Sequence, residues 1–177
     1  MLLSRIIASA SERERFALIY QLASRGHKEV SAEYLEKSKI RVFYFSENPK
    51  VWKAGYVINT EPDFRYFEVF DNDTKNALLA KNKMSENDIA EVTCIWIESK
   101  GISTFERLQV YFQSMIDGIR VGKSYIFGGS TERKVMKLQK EIMPHDFASG
   151  EARIGDELTE FSVYFVGRWE SLYTMTR

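Results

Sequence analysis

Apolar and polar positions follow two periods along this chain, and the switches between them mark out its elements. LLSRIIA (2–8) reads as a short strand. Ser11 and Glu14 form an S-x-x-E capping box that opens a helix. Its Phe16, Ile19, Tyr20 and Ala23 recur at helical spacing, and Gly26 ends it. Ser31 caps a second helix, AEYLEKS. KIRVFYFS (39–46) and VWKAGYVIN (51–59) are apolar at most positions, and SENPK between them is a turn signal, so the two are expected to pair as an antiparallel hairpin. FRYFEVF (64–70) predicts a further strand, bounded by Glu61-Pro62-Asp63 and Asp71-Asn72-Asp73. The more polar stretch 73–88 reads as a short helix and a loop.

From Glu91 to Met143 the order becomes strand, capped turn, helix, strand, glycine turn, helix. EVTCIWIES (91–99) is a strand rich in β-branched residues. Ser103 and Glu106 form a second capping box. The helix beyond it is predicted to bury Phe105, Leu108, Phe112, Met115 and Ile119 and to stop at Gly118. Strand 123–128 runs into a Gly128-Gly129 turn, either a ligand-contacting loop or a tight turn capped by Ser130 or Thr131, and helix 131–143 follows, closed by Pro144. The segment 145–158 reads as a mobile loop, TEFSVYFVGRW (159–169) as a final strand, and ESLYTMTR as a trailing surface segment. About seven strands and four or five helices in this mixed order predict an α/β fold built on one mixed, mostly antiparallel sheet with helices on both faces. At 177 residues, with no repeat or linker, the chain fits a single domain over 1–177.

Composition narrows the function classes. An apolar fraction of 44% supports a folded core. Lys+Arg and Asp+Glu both number 25, so there is no net charge to steer the chain toward nucleic acid or an anionic membrane. The lone Cys94 excludes an internal disulfide and agrees with a reducing, cytoplasmic setting; in mid-strand it reads as a buried, inert thiol. No apolar run approaches roughly 18 residues, so no membrane-spanning helix is expected. The start, MLLSRIIASASERER, lacks a basic segment before its apolar run and reads as a strand rather than a signal peptide. His27 and His145 are the only histidines, and neither has metal-ligand spacing with a second His or Cys, so no metal site is expected.

The chemistry-bearing candidates lie at strand ends. The N–H groups of Ile102 to Phe105 either line an anion site or belong to a cap that Glu106 satisfies by itself. Gly122-Lys123-Ser124 is not a phosphate-binding P-loop, because position 117 is Asp where that motif needs glycine, and the tripeptide precedes a strand. Glu91 and Glu98, at the two ends of one strand, are candidate proton acceptors, or plain solvated termini. Tyr125 and Tyr164 are candidate proton donors, or core aromatics. Arg133, Lys137 and Lys140 share one face of a helix with Lys134 adjacent, either as a phosphate- or RNA-binding face or as a solvated one.

This layout resembles the GCN5-related N-acetyltransferase superfamily over most of the chain. An opening strand, two helices, a hairpin containing VWKAGYVIN, a central strand 90–98, helix 104–118, strand 123–128, helix 131–143 and last strand 160–167 are similar to that family's order. Ala54-Gly55-Tyr56 is similar to its small-Gly-aromatic signature. The family's coenzyme loop usually reads Arg/Gln-x-x-Gly-x-Gly/Ala; here Ser99-Lys100-Gly101-Ile102-Ser103-Thr104 keeps one glycine, one basic residue and two hydroxyls, and helix 131–143 has no tyrosine, which marks a divergent member. The resemblance implies transfer of an acyl group from a thioester, acyl-coenzyme A or an acyl carrier protein, to an amine on a small molecule or protein. It implies donor binding by Ile97, Ser99, Lys100, Gly101, Ile102, Ser103, Thr104 and Ser130. Glu91, Glu98 and Tyr125 would carry the proton transfers, and N–H groups of the central strand would polarise the thioester. An insertion at 62–88 would shape the acceptor site. A binding or assembly protein that has lost its donor site, and a phage-type protein acting on nucleic acid, are the competing expectations.

Overall fold

The computed structural model describes residues 1–24, 29–154 and 157–174. Its elements run β1 (Leu2–Ile7), α1 (Ala10–Ala23), α2 (Ala32–Lys37), β2 (Lys39–Phe45), β3 (Trp52–Asn59), a 3-10 turn at Arg65–Phe67, α3 (Asn72–Lys81), a second 3-10 turn at Glu86–Asp88, β4 (Ile89–Ile97), α4 (Thr104–Arg120), β5 (Tyr125–Ser130), α5 (Arg133–Ile142), β6 (His145–Ile154), β7 (Glu157–Gly167) and α6 (Arg168–Thr174). Hydrogen-bonded neighbours give one seven-stranded sheet in the order β1-β2-β3-β4-β5-β7-β6. The β4–β5 pair is parallel, whereas β1–β2, β2–β3, β5–β7 and β6–β7 are antiparallel. This is the mixed, mostly antiparallel sheet that the sequence predicts. Among the described residues no helix is long and apolar enough to cross a membrane.

By packing, the chain divides into two compact units, Met1–Asn59 with Val92–Ile116, and Thr60–Glu91 with Asp117–Arg177. In the first, β1 and β2 pair from Leu2↔Phe45 to Ile7↔Ile40, and β2 continues against β3 as the expected hairpin. Phe16, Tyr20, Leu35, Val42, Val57 and Trp96 belong to one buried cluster there. Gly55 admits this packing: a Cβ on it would stand 2.8 Å from the Phe16 ring and 3.0 Å from the Arg41 carbonyl oxygen. Helix α1 opens at Ser9, whose hydroxyl accepts from Glu12 N–H, so the cap lies two residues before the expected Ser11–Glu14 box. Ser31 caps α2 as expected. Gly26 and His27 lie outside the described residues.

The second unit is built on aromatic contacts. Phe127 stacks on Phe165 at 5.6 Å and meets Phe147 at 4.9 Å and Phe67 at 6.0 Å, both edge-on. Offset and edge-on pairs of this kind add to the area they bury. Strands β5 and β7 pair from Tyr125↔Gly167 to Ser130↔Ser162.

Four expectations are corrected here. Residues 64–70 form no strand: Phe64 and Phe67 are both buried from a 3-10 turn, whose three-residue repeat sets side chains at i and i+3 on one side. Residues 145–154 of the expected mobile loop 145–158 are strand β6, paired with β7 from His145↔Phe165 to Ile154↔Glu157. Gly128-Gly129 lies within β5 instead of forming a turn, and α5 begins at Arg133 with Glu132, not Ser130 or Thr131, at its N-cap position. Residues 170–174 of the expected trailing segment belong to helix α6.

Candidate active site

Strand β4 is the natural place to start because it changes character along its length. Its parallel ladder with β5 has three partners, Ile89↔Tyr125, Ala90↔Ile126 and Glu91↔Phe127. Three residues further on, Cys94 holds φ +52°. That left-handed conformation is costly for a residue with a side chain, and it breaks the pleat locally. The Cys94 side chain is buried, as expected for an inert thiol.

The expected donor turn follows β4. Ile97 is half-buried, Ile102 is buried, and Ser99, Lys100, Gly101, Ser103 and Thr104 are exposed. Gly101 turns the chain with φ +76°. Arg107 on α4 braces the turn by donating to the carbonyl oxygens of Glu98 at 2.9 Å and Ser99 at 3.0 Å. The capping box is reciprocal: Ser103 N–H donates to the Glu106 carboxylate at 2.8 Å, and Glu106 N–H to the Ser103 hydroxyl at 3.3 Å. The Ser103 N–H holds the Glu106 carboxyl below the usual carboxylate range. The N–H groups of Thr104 and Phe105, in the first turn of α4, are left for an outside partner by helix geometry. The helix itself is turned differently from the sequence expectation. Phe105 is 78% exposed, and Leu108 and Phe112 are exposed with it; Val110, Ser114, Met115, Asp117 and Gly118 are the buried positions.

The two candidate carboxylates part company. Glu98 is ion-paired with Lys53 and partly exposed, and its backbone N–H donates to Lys53 O at 2.9 Å. Glu91 is 0% exposed, and its Oε1 accepts from Tyr66 N–H at 2.8 Å. It is therefore no solvated terminus but an oriented, buried carboxylate. Tyr125 is half-buried and sets its ring edge-on to Phe165 at 5.9 Å, and Tyr164 is buried opposite Gly128 in the β5–β7 ladder. Ser130, at the end of β5, uses its hydroxyl to accept from Glu132 N–H at 3.0 Å.

Two residues of the site carry no sequence signal. Tyr66 reaches from the first 3-10 turn to donate its hydroxyl to Gly129 O at 3.1 Å, and Gln139 on α5 donates to the same carbonyl at 3.3 Å. The glycine pair is the only trace of them: a Cβ on Gly129 would stand 2.8 Å from the Tyr66 ring, and one on Gly128 would stand 2.8 Å from Met143 Sδ. The remaining candidates are accounted for locally. Lys123 donates to Asn87 O at 2.9 Å, as befits a turn and not a phosphate loop. On the basic side of α5, Arg133 pairs with Glu160 and Lys140 with Asp146, which neutralises part of it.

No protein-family model and no curated protein sequence matches the chain. Solved structures do. The chain is similar to FeeM, an N-acyl amino acid synthase from uncultured soil microbes, at 12% identity and TM-score 0.73 over 98% of this chain and 94% of that one. It is similar to the AHL synthase LasI at 9% identity and TM-score 0.63, over 95% and 90%. It is also similar to yncA, a putative acetyltransferase from Salmonella typhimurium solved with its cofactor acetyl-CoA, at 10% identity and TM-score 0.61 over 94% of each chain. With its seven-stranded sheet and this order of helices, the chain has the GCN5-related N-acetyltransferase fold.

Proposed function

We propose that the protein is an acyltransferase that moves an acyl group from a thioester, carried by coenzyme A or an acyl carrier protein, to an amine. The observation that supports this most is the likeness, over nearly the whole chain, to an N-acyl amino acid synthase and to a putative acetyltransferase solved with acetyl-CoA. The donor's phosphates would lie at Ser99–Thr104, where Lys100 supplies charge, Ser103 and Thr104 supply hydroxyls, and Thr104 and Phe105 supply N–H groups. Ile97 would flank the donor.

In the reaction the amine nitrogen attacks the thioester carbonyl carbon. The C–N bond forms, the C–S bond breaks, and the sulfur leaves as thiolate. Glu91 takes the proton that the amine loses, directly or through water; its Tyr66-bound oxygen keeps the carboxylate in one orientation. Tyr125 returns a proton to the thiolate. Glu98, committed to Lys53, serves the donor turn through its backbone and not as a base.

Acetyl-coenzyme A is expected to raise the melting temperature, with an acyl carrier protein loaded with an acyl chain as the second donor to try. Glu91→Gln keeps an acceptor for Tyr66 N–H and is expected to lower amine-dependent thiol release by about a hundredfold or more, with donor binding retained. If neither donor binds, the assignment fails. The Glu106 carboxylate, fixed beside the helix start, favours a second reading, a binding protein without a donor. A stable macromolecular partner recovered together with no response to thioesters would select it.

A further inference from the structure

Helix α4 is apolar on two sides, and among the described residues only one of them is covered. Val110 and Met115 face inward and are buried. On the outer side Phe105 is 78% exposed, Leu108 53% and Phe112 52%, and half-buried Ile116 and Ile119 continue the row. An amphipathic surface helix needs one apolar side for its core. A second apolar row, made of large exposed side chains, marks an interaction surface.

Symmetry, charge and area select the occupant. Phe105, Leu108, Phe112, Ile116 and Ile119 follow one another at steps of three, four, four and three, so the row reads the same from either end. Such steps keep all five on one side of a helix with about 3.6 residues per turn. A second copy laid antiparallel, with a twofold axis at Phe112, meets Phe105 with Ile119, Leu108 with Ile116 and Phe112 with itself. That is the self-complementary contact of a closed dimer. Charge fits the same arrangement. Between Glu106 in the first turn and exposed Arg120 at the end, the outer side carries only apolar residues and glutamine. Glu106 and Arg120 lie on the same flank of the row, 14 residues apart, so an antiparallel pair sets each carboxylate beside the other copy's guanidinium. A parallel pair would separate them, and a strongly acidic partner would find no row of cations here. Aromatic side chains bury about 150–250 Å² each, so the exposed parts of Phe105, Leu108 and Phe112 leave roughly 300–400 Å² of apolar surface per copy. With the flanking side chains, two copies would bury about 1,000 Å², the size at which a weak specific contact begins.

We propose that the protein forms a twofold dimer through the outer face of α4, two copies packing antiparallel about Phe112. The inference stands apart from the acyltransferase reading and is tested without any donor. Sedimentation velocity across about 5–500 µM, where contacts of this size associate, is expected to show the mass rising from 20.6 kDa toward twice that value. Phe112→Asp sets two like charges across the axis; it is expected to stay monomeric over the whole range and to keep the parent's melting temperature in dilute solution. Arg120→Glu is expected to weaken association about tenfold, because the twofold repeats the lost pair. An oxidised mixture of Phe105→Cys and Ile119→Cys proteins is expected to give a disulfide dimer with one chain of each, since the native Cys94 is buried. A 105–105 disulfide in its place overturns the antiparallel packing. A mass that stays at 20.6 kDa throughout overturns the dimer; if an acyl carrier protein then binds the parent but not Phe112→Asp, the face belongs to that partner. Association that survives Phe112→Asp lies elsewhere on the molecule and overturns the proposal too. Should Phe112→Asp fail to fold, Arg120→Glu at the exposed helix end decides, and unchanged association there overturns the proposal.

Discussion

Cys94 carries the most unusual backbone on β4. With φ +52° in a strand, it needs a residue that tolerates the left-handed region. Cys94→Val puts a β-branched side chain there and is expected to destabilise the fold by about 1–3 kcal/mol in a denaturant titration. Cys94→Gly removes that strain at the cost of a small buried side chain and should lose less. Gly129 has the opposite problem, space in place of angle. A Cβ there meets the Ser162 carbonyl oxygen at 2.9 Å as well as the Tyr66 ring, and a backbone atom cannot swing away. Gly129→Ala is expected to cost about 1–3 kcal/mol and to dislodge Tyr66, which an altered Tyr66 environment in NMR would register. Glu12 supplies the pH dependence. Its hydrogen bond to Arg5, helped by Ser9, lowers its carboxyl from 4.5 to about 2. A depressed carboxyl stabilises the fold above its ordinary value, and that contribution is lost as pH falls from about 4.5 toward about 2. Denaturant midpoints measured across that window should fall less steeply in Arg5→Gln than in the parent. None of these residues announces itself in the sequence beyond being a lone cysteine, one glycine of a pair and an acid near a helix start.

At the scale of elements, periodicity was readable and facing was not. Helix α4 shows why. Phe105, Leu108 and Phe112 recur at helical spacing with Met115 and Ile119, so the sequence assigns all five to the core; of these only Met115 is fully buried. The buried side includes Ser114, whose hydroxyl donates to Tyr111 O at 2.7 Å, and Asp117, polar residues that look like surface in a sequence. Replacing Phe105 and Phe112 together by Ser is therefore expected to change the melting free energy by about 1 kcal/mol or less, where two core aromatics would cost several. Strand β6 escaped notice for the complementary reason. HDFASGEARI has few β-branched residues and a weak alternation, and its pairing depends on β7. FRYFEVF erred the other way, because its two buried phenylalanines sit three apart and fit a 3-10 turn better than a pleat. Capping was legible where Ser and Glu sat three apart at 103 and 106, and it shifted by two residues at α1, where several serines and glutamates compete.

For the whole molecule, the sequence by itself determined the class of fold. The order of strands and helices was enough to name the architecture, because hydrophobic period and turn residues act locally and survive even where identity to solved structures is 12%. It also determined the turn at 99–104 as a helix start after a strand, since a cap is written within four residues. Tertiary structure alone decided which carboxylate is buried. Glu91 and Glu98 look alike at the two ends of one strand, yet Glu91 is enclosed and bonded to Tyr66, and Glu98 is partly exposed and paired with Lys53. It alone brought Tyr66 and Gln139 to the carbonyl of Gly129 from positions 63 residues before it and 10 residues after it. The physical reason is range: burial and hydrogen-bond partners are set by which elements pack together, and no local pattern in the chain encodes them.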